Sequence, residues 1–257
     1  MSHSNTNRFQ DFFKEDRYIL LKNYLYNYLL RKMAVEKHLQ NPGPGLILEV
    51  GSGISPVMTR TTRIIYTDLS FSALRILKDT HQKGWYITAD CMHLPFKSGS
   101  FACTICSEVL EHLPDDRNAL REMARVLRKS GHIILTFPHR KKYFANDDRF
   151  VNHLRRYELH EMQDRLSTAG FKPVACQNVL GPIEKVTMSF IVYCFSRMQR
   201  MRPNYEKEKW HSKVMMAVTF LFKWINRAYM GIAWADARIM PTAIAPILLI
   251  KAEKNTA

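Results

Sequence analysis

The sequence predicts an α/β fold with a doubly wound, mostly parallel sheet of about seven strands. Two observations support this prediction. Short apolar runs alternate with helical or loop segments, as strands do in parallel sheets that are covered on both faces. A Gly-x-Gly turn follows the first run, at the edge where such sheets bind ligands. The predicted strands are residues 46–50, 64–67, 85–89, 101–106, 132–137, 171–180 and 245–251.

Helical segments are predicted around these strands. Residues 17–39 carry apolar side chains at helical spacing and end at a Pro- and Gly-rich cluster, residues 41–45. An amphipathic helix is predicted over residues 115–128, closed by Ser130 and Gly131. Only about ten residues separate Gly53 from the second strand, so we expect a short or irregular first crossover.

The segment of more than sixty residues between the last two strands has a basic composition and is rich in Met and Trp, which indicates a helical insertion. The predicted organisation is an N-terminal helical segment (1–40), a core (41–180), the basic insertion or cap (181–244) and the last strand (245–257).

The composition restricts the function classes. A net charge of +15 over 257 residues favours an acidic partner, such as a phospholipid surface, a nucleic acid or a phosphorylated substrate. Five scattered cysteines argue against a disulfide framework, and Cys103 and Cys106 should point to opposite faces of one strand. Because the sequence shows neither a signal peptide nor a long apolar run, we expect a cytoplasmic protein or one bound peripherally to the inner face of a membrane.

Acidic residues and glycines cluster around the ends of the first three predicted strands. Gly51 and Gly53 permit a tight turn and a close approach of backbone to ligand. Glu49, Asp68 and Asp90 add carboxylates on three consecutive strands, which suits a cationic ligand that carries hydroxyl groups. The third glycine of the dinucleotide fingerprint is absent, and this argues against a pyrophosphate cofactor.

Five motifs in this order resemble the class I S-adenosylmethionine-dependent methyltransferases, and in particular the subgroup of ubiquinone and menaquinone biosynthesis enzymes. The resemblance covers residues 46–171 and implies a Rossmann-like fold that uses S-adenosylmethionine. The motifs are LILEVGSG, IIYTDLS, TADCMHLPFKSGSF, SEVLEHLPDDRNALREMARVLRKSGHIILTFP and HLRRYELHEMQDRLSTAGF.

The resemblance also implies the cofactor-binding residues. Glu49, Gly51 and Gly53 would line the methionine end of the cofactor. Asp68 would bind the ribose hydroxyls and Asp90 the adenine amine. Ser107 would lie beside the sulfonium. The implied residues are Glu49, Gly51, Gly53, Asp68, Leu69, Asp90, Cys91, Met92 and Ser107.

Methyl transfer from a sulfonium is an in-line displacement that depends on alignment and desolvation, with a base where the nucleophile is a hydroxyl. We predict His112 and His139 as catalytic bases because both should lie at the carboxyl edge of the sheet, near Glu108 and Glu111. The alternative is that Glu111 and His112 only begin the following helix region and contact backbone.

Glu108, Glu111 and His112 would share one side of a helical turn, and a remote histidine such as His153 could complete a metal site. This pattern also resembles those of metal-dependent small-RNA 2′-O-methyltransferases and of quinone O-methyltransferases. Many relatives carry a similar string without a metal. We therefore predict no resident metal and keep a Mg²⁺ site as a hypothesis.

The basic insertion bears on the acceptor. It holds ten Lys or Arg against four Asp or Glu between residues 181 and 242. A basic edge opposite aromatic residues suits an anionic membrane surface, and a Met-rich surface suits flexible apolar ligands. We expect a small lipophilic acceptor such as a quinone precursor, a lipid or a lipid-linked sugar.

Two alternatives remain open at this point. The insertion is equally consistent with a helical cap that packs on the sheet or on a second subunit. The alternative function is an RNA methyltransferase, with metal-dependent 2′-O-methylation as one form, although a nucleic-acid partner is less expected. The sequence does not indicate the oligomeric state.

Overall fold

A sheet of seven strands organises the chain, in the order β3-β2-β1-β4-β5-β7-β6. The computed structural model describes residues 23–39, 44–201 and 212–255, with backbone alone for residues 192, 194–201 and 212–219. The strands are β1 (Leu46–Val50), β2 (Ile64–Asp68), β3 (Trp85–Thr88), β4 (Phe101–Ser107), β5 (Leu127–Pro138), β6 (Phe171–Leu180) and β7 (Ile247–Lys254).

Helices and short 3-10 turns connect these strands. The helices are α1 (Tyr26–His38), α2 (Phe71–His81), α3 (Asp116–Val126), α4 (Asn146–Phe150), α5 (Leu159–Thr168), α6 (Ile183–Met201) and α7 (Ser212–Ile239). The 3-10 turns are Leu110–His112, Lys141–Tyr143 and Thr242–Ile244.

The pairing of the strands confirms the predicted fold class. β1 to β5 run parallel to one another, and β7 lies antiparallel between β5 and β6. The carboxyl ends of the five parallel strands therefore meet at one edge of the sheet, where α/β folds bind ligands.

Both faces of the sheet are buried. Cys106 belongs to the apolar cluster on one face and Cys103 to the cluster on the other, as the alternation of side chains along a strand requires. Helix α3 covers the first cluster and α1 contributes to the second.

Three predicted boundaries differ from the structure. The helix predicted over residues 17–39 is confirmed as α1 (Tyr26–His38), residues 23–25 are not helical, and residues 17–22 lie outside the described part of the chain. Helix α3 ends at Val126 because Leu127 already pairs with Phe101, so Ser130 and Gly131 fall inside β5 instead of closing the helix. The last strand begins at Ile247 because a 3-10 turn occupies Thr242–Ile244.

Two other expectations are confirmed. The described chain between β1 and β2 contains no helix, so the first crossover is irregular. Helices α6 and α7 lie between β6 and β7, where the sequence predicts the insertion. Residues 202–211 of that insertion, residues 40–43, which include the first part of the Pro- and Gly-rich cluster, and residues 256–257 lie outside the described residues. Among the described helices, none has the length and apolarity needed to span a bilayer.

Candidate active site

The turn after β1 places two glycines at the ligand-binding edge. Gly51 and Gly53 both adopt positive φ, +69° and +52°, which a glycine accepts at little cost. A Cβ on Gly51 would lie 2.4 Å from Cγ2 of Val109, so the turn also packs closely against the segment after β4. The turn is joined to β2 by a hydrogen bond of 3.0 Å from the Ser52 N–H to the Thr67 carbonyl.

Asp68 ends β2 beside this turn. Its Oδ2 accepts a hydrogen bond of 2.8 Å from the Gly53 N–H, and its Oδ1 accepts one of 2.8 Å from the Ser70 N–H. The next residue, Leu69, leaves about half of its surface exposed (49%). The arrangement presents a fixed carboxylate and an apolar side chain next to the backbone of the glycine turn.

The segment after β3 supplies a second carboxylate. Asp90 Oδ1 accepts a hydrogen bond of 2.8 Å from the Met92 N–H, which fixes the turn that carries Cys91 and Met92. Both of these residues are partly buried against the core. Burial raises the pKa of the Cys91 thiol to about 12, so this side chain acts as an apolar surface and not as a nucleophile.

Glu49 is directed away from the ligand-binding edge. Its carboxylate is buried and accepts hydrogen bonds from the backbone N–H groups of Val57 (2.7 Å) and Met58 (3.0 Å). Burial raises its pKa to about 8. This geometry favours an indirect role for Glu49, in which it holds the loop between β1 and β2 in place.

The end of β4 differs from the predicted helical turn. Glu108 has a left-handed backbone (φ +55°), and only Leu110–His112 forms a 3-10 turn, so residues 108–112 do not share one side of a helix. Ser107 Oγ lies 2.8 Å from Thr136 Oγ1, and the Glu108 N–H donates to the Thr136 carbonyl at 3.1 Å. β5 therefore fixes the position of both residues.

A group of side chains nevertheless converges after β4. The possible ligand atoms of Glu111, His112 and His153 all lie within 4.8 Å of one another. Glu111 is fully buried, and its burial, together with the charge of Glu108, raises its pKa well above the ordinary value. The remote histidine proposed from the sequence thus reaches Glu111 and His112, although by tertiary packing and not along a helix.

His139 lies at the carboxyl edge, as predicted, but under the chain that leads into β7. It is 3% exposed, and its Nδ1 lies 2.7 Å from the Ala245 carbonyl, which can only accept a hydrogen bond. Burial lowers its pKa, so the ring is neutral near pH 7. This setting favours a structural role, whereas His112 is only partly buried.

Helix α1 supplies residues that the sequence reasoning missed. The Tyr28 hydroxyl donates to the Pro56 carbonyl at 2.8 Å, and Arg31 Nη1 lies 3.7 Å from Glu108 Oε2. Helix α1 thus contacts both the loop after β1 and the segment after β4. No local motif marks Arg31 or Tyr28, because their role comes from the packing of α1.

Comparison with known proteins agrees with this geometry. Residues 48–135, which span β1 to β5, match the family model of the methyltransferase domain. The chain contains a class I S-adenosylmethionine-dependent methyltransferase domain. The match includes the glycine turn, Asp68, Asp90 and the residues after β4, so the family signal and the ligand-binding edge coincide.

Individual relatives cover this domain in part. A probable S-adenosylmethionine-dependent methyltransferase of Mycobacterium tuberculosis is 29% identical over 135 residues, which is 51% of this chain and 49% of that protein. A ubiquinone/menaquinone biosynthesis C-methyltransferase of Haemophilus ducreyi is 28% identical over 87 residues, 32% of this chain and 34% of that protein. The chain thus spans about half the length of the mycobacterial relative.

The fold similarity extends further than the sequence similarity. A crystal structure from Thermotoga maritima, described as an S-adenosylmethionine-dependent methyltransferase and possible histamine N-methyltransferase, has a TM-score of 0.62 at 17% identity. The alignment covers 97% of this chain and 100% of that one. At this identity the similarity concerns the fold alone.

Proposed function

We propose that this protein transfers a methyl group from S-adenosylmethionine to a small lipophilic acceptor at an anionic membrane surface. The methyltransferase domain and the names of its relatives support the reaction class. The observation that carries the acceptor proposal is a row of exposed apolar side chains on the cap helices α6 and α7.

The cofactor would lie across the carboxyl ends of β1 to β4. In this proposal the backbone of Gly51 and Gly53 borders the methionine end of the cofactor, and Asp68 accepts hydrogen bonds from the ribose hydroxyls. Asp90 accepts a hydrogen bond from the adenine amine. Leu69, Cys91 and Met92 make apolar contacts with the adenine ring. Ser107, fixed by Thr136, would lie beside the sulfonium.

The chemical step requires little covalent chemistry from the protein itself. The acceptor atom attacks the methyl carbon as the bond to sulfur breaks, and the sulfonium charge is lost in the process. An enzyme accelerates this step by aligning the two reactants and excluding water. For a hydroxyl acceptor, His112 is the better placed of the two predicted bases, because His139 is buried and held by Ala245.

The apolar row, which we call the cap surface, consists of side chains that are each more than half exposed. Isolated exposed apolar residues are common, but here they recur at intervals of about one helical turn along each of the two helices, a pattern typical of an interaction site. The cap surface comprises Val186, Phe190 and Tyr193 on α6 and Phe220, Leu221, Trp224, Ile225 and Ile232 on α7.

The base of the cap is tied to the candidate active site. On α6, Lys185 Nζ lies 2.7 Å from both carboxylate oxygens of Asp147 and 3.1 Å from Asp148 Oδ2. Asp148 in turn contacts His153 at 2.9 Å, and His153 faces Glu111. An acceptor that enters along the cap surface would therefore arrive on the side of the sheet edge that holds residues 107–112.

Charge supports a membrane as the source of the acceptor. The chain carries a net charge of +15, and a basic protein with exposed Trp and Phe residues is attracted to anionic headgroups while its apolar side chains enter the interface. The Haemophilus relative, by its name, acts in ubiquinone and menaquinone biosynthesis, where the substrates are lipophilic.

The test uses S-adenosylmethionine labelled in its methyl group. The full-length protein is incubated with this cofactor and with membrane lipid extract, total RNA and small polar metabolites in separate reactions. We expect label in the organic extract of the lipid reaction. Label in the RNA alone would show that the protein is an RNA methyltransferase and would overturn the proposal. Label in the polar metabolites alone would show that the acceptor is not lipophilic.

A further inference from the structure

The Glu111 side chain is in an unusual position for an acidic residue. It is 0% exposed, and neither of its carboxylate oxygens has a hydrogen-bond partner among the described residues. An isolated buried carboxylate is costly, so such groups are normally paired with a cation, bound to a metal or protonated. The Glu111 carboxylate therefore requires a cation or a proton close to its oxygens.

Two imidazoles face this carboxylate. His153 Nε2 lies 3.6 Å from Glu111 Oε1, and the rings of His112 and His153 meet edge to face with centroids 4.8 Å apart. Two ligands bound to one zinc ion at about 2.0–2.1 Å in tetrahedral geometry lie roughly 3.4 Å apart. The Glu111–His153 pair is already close to that separation. All the possible ligand atoms lie within 4.8 Å of one another, so ion binding would draw the remaining pairs together by at most roughly 1.4 Å.

The outer nitrogens of both rings are held by acceptors. His153 Nδ1 lies 2.9 Å from Asp148 Oδ1, and His112 Nδ1 lies 3.2 Å from the Asn152 carbonyl. Because a carboxylate and a carbonyl only accept hydrogen bonds, each Nδ1 carries the proton. In the neutral form of each ring the lone pair is then on Nε2, the tautomer that metal-binding histidines adopt when an outer carboxylate or carbonyl orients them.

The outer carboxylate is itself fixed. Asp148 is 1% exposed, and it receives hydrogen bonds from Arg156 Nε (2.7 Å) and Lys185 Nζ (3.1 Å) in addition to His153. Arg156 and Lys185 balance the negative charge of Asp148 from the outside. The oxygens of Glu111 make no such bonds, so Glu111 is the carboxylate of this group whose oxygens face the two imidazoles.

We propose that Glu111, His112 and His153 form a binding site for a divalent transition-metal ion of the Zn²⁺, Mn²⁺ or Co²⁺ type. Two imidazole nitrogens and one carboxylate oxygen suit these ions better than Mg²⁺, which prefers oxygen ligands alone. Three protein ligands leave a coordination position for water or an oxygen of the acceptor. With the ion bound, His112 would be a ligand and would not act as the base, so the ion would instead favour loss of the proton from a hydroxyl acceptor. Ion binding itself holds whatever the acceptor is.

The experiment uses the full-length, untagged protein after treatment with a chelator and dialysis. Titration with Co²⁺ is followed by visible absorption, since Co²⁺ with imidazole and carboxylate ligands is coloured, and Zn²⁺ binding is measured by calorimetry. We expect about one ion per chain, displacement of Co²⁺ by Zn²⁺, a higher melting temperature with Zn²⁺, and no competition from Mg²⁺ at equal concentration.

Three variants locate the ion. His153→Gln and Glu111→Gln should each weaken Co²⁺ binding by at least about tenfold, whereas His160→Gln, at an exposed histidine on α5, should bind as the wild type does. A wild-type protein that binds no ion, or variants at positions 111 and 153 that bind normally, would overturn the site. Circular dichroism verifies that each variant is folded.

Two further measurements keep the test decisive. If a substitution at position 111 or 153 prevents folding, the wild type alone still decides, since its Zn²⁺-dependent rise in melting temperature must be present for the site to stand. S-adenosylmethionine binding is measured in the same samples. Loss of the metal site with retained cofactor binding therefore separates failure of this inference from failure of the proposed function.

Discussion

The Gly53 N–H donates a hydrogen bond of 2.8 Å to Asp68 Oδ2, and this contact joins the turn after β1 to the end of β2. The same carboxylate receives the Ser70 N–H through its other oxygen. Asp68 is therefore held in one orientation before any ligand binds. Such preorganisation lowers the entropy that a ligand must give up on binding.

Replacing Asp68 by Ala should weaken S-adenosylmethionine binding by about 10- to 100-fold. The expected loss corresponds to the net removal of about one charge-assisted hydrogen bond to the ribose, worth about 1.5–3 kcal/mol, and the substitution also releases the turn at Gly53. Isothermal titration calorimetry with the cofactor and its demethylated product measures the change. Asp79→Asn, at an exposed acid on α2, is the matched control. Equal affinities for the wild type and Asp68→Ala would remove Asp68 from the cofactor site.

Replacing Gly51 by Ala should destabilise the protein by about 1–3 kcal/mol and also reduce cofactor binding. The positive φ of Gly51 is strained for alanine, and the new methyl group would clash with Val109, 2.4 Å away. Chemical denaturation gives the free energy of unfolding. Adding Val109→Ala should recover only the part of the loss that comes from the clash, because the backbone strain remains.

The control for Gly51 is another glycine with open space around it. Gly231 lies in helix α7, and a Cβ at this position meets nothing within 4 Å. Gly231→Ala should leave stability unchanged or raise it by up to about 1 kcal/mol, because alanine favours helices. If both glycine variants behave alike, the packing of the turn against Val109 is unimportant.

The sequence alone predicts the strands and the order of the residues at the carboxyl edge of the sheet, because buried apolar runs and glycine turns are local signals. The predicted start of α3 is correct to within one residue, because Asp115 is the N-cap and its side chain accepts the Asn118 N–H at 3.0 Å. The end of that helix was missed. Leu127 enters β5 through pairing with Phe101, a contact between segments distant in sequence.

In the candidate site, too, the sequence predicts the local motif but not the contacts between segments distant in sequence. Glu111 and His112 are visible as a motif, and His153 can be named as a distant partner. The hydrogen bond from His153 to Asp148 is not visible in sequence, because it depends on the short helix α4 and on Lys185 of the cap. Likewise, no pattern indicates that the Glu49 carboxylate faces the backbone of Val57 and Met58.

The buried Glu49 should make stability depend on pH. Its pKa rises from an ordinary value of 4.5 to about 8 in the folded protein. The folded state therefore keeps this proton over a range in which the unfolded state loses it. Stability from this residue is complete below pH 4.5 and declines as pH rises to about 8, by at most about 1.4 kcal/mol per pH unit.

Glu49→Gln isolates this contribution. The free energy of unfolding is measured for both proteins between pH 5 and pH 8, and the wild-type value minus the variant value should fall as the pH rises. Other titrating groups cancel in the difference, because the substitution affects position 49 alone. A difference that stays constant over this range would show that Glu49 is ionised in the folded protein.

The last prediction concerns the cap surface and the membrane. Trp224 is 63% exposed on α7, and Trp224→Glu replaces an aromatic ring suited to the membrane interface with a negative charge. Partition onto vesicles that contain anionic phospholipid should weaken by about tenfold or more, since both the apolar contact and the electrostatic attraction decline. Flotation of vesicles at low salt measures this partition.

Val174→Glu is the matched control for charge. Val174 is 49% exposed on β6, so the substitution adds the same charge outside the cap surface. It should reduce flotation only slightly, and both variants should bind S-adenosylmethionine as the wild type does. Equal losses of flotation would mean that net charge alone directs the protein to the vesicles. In that case the apolar side chains of α6 and α7 need a different explanation, such as a protein partner.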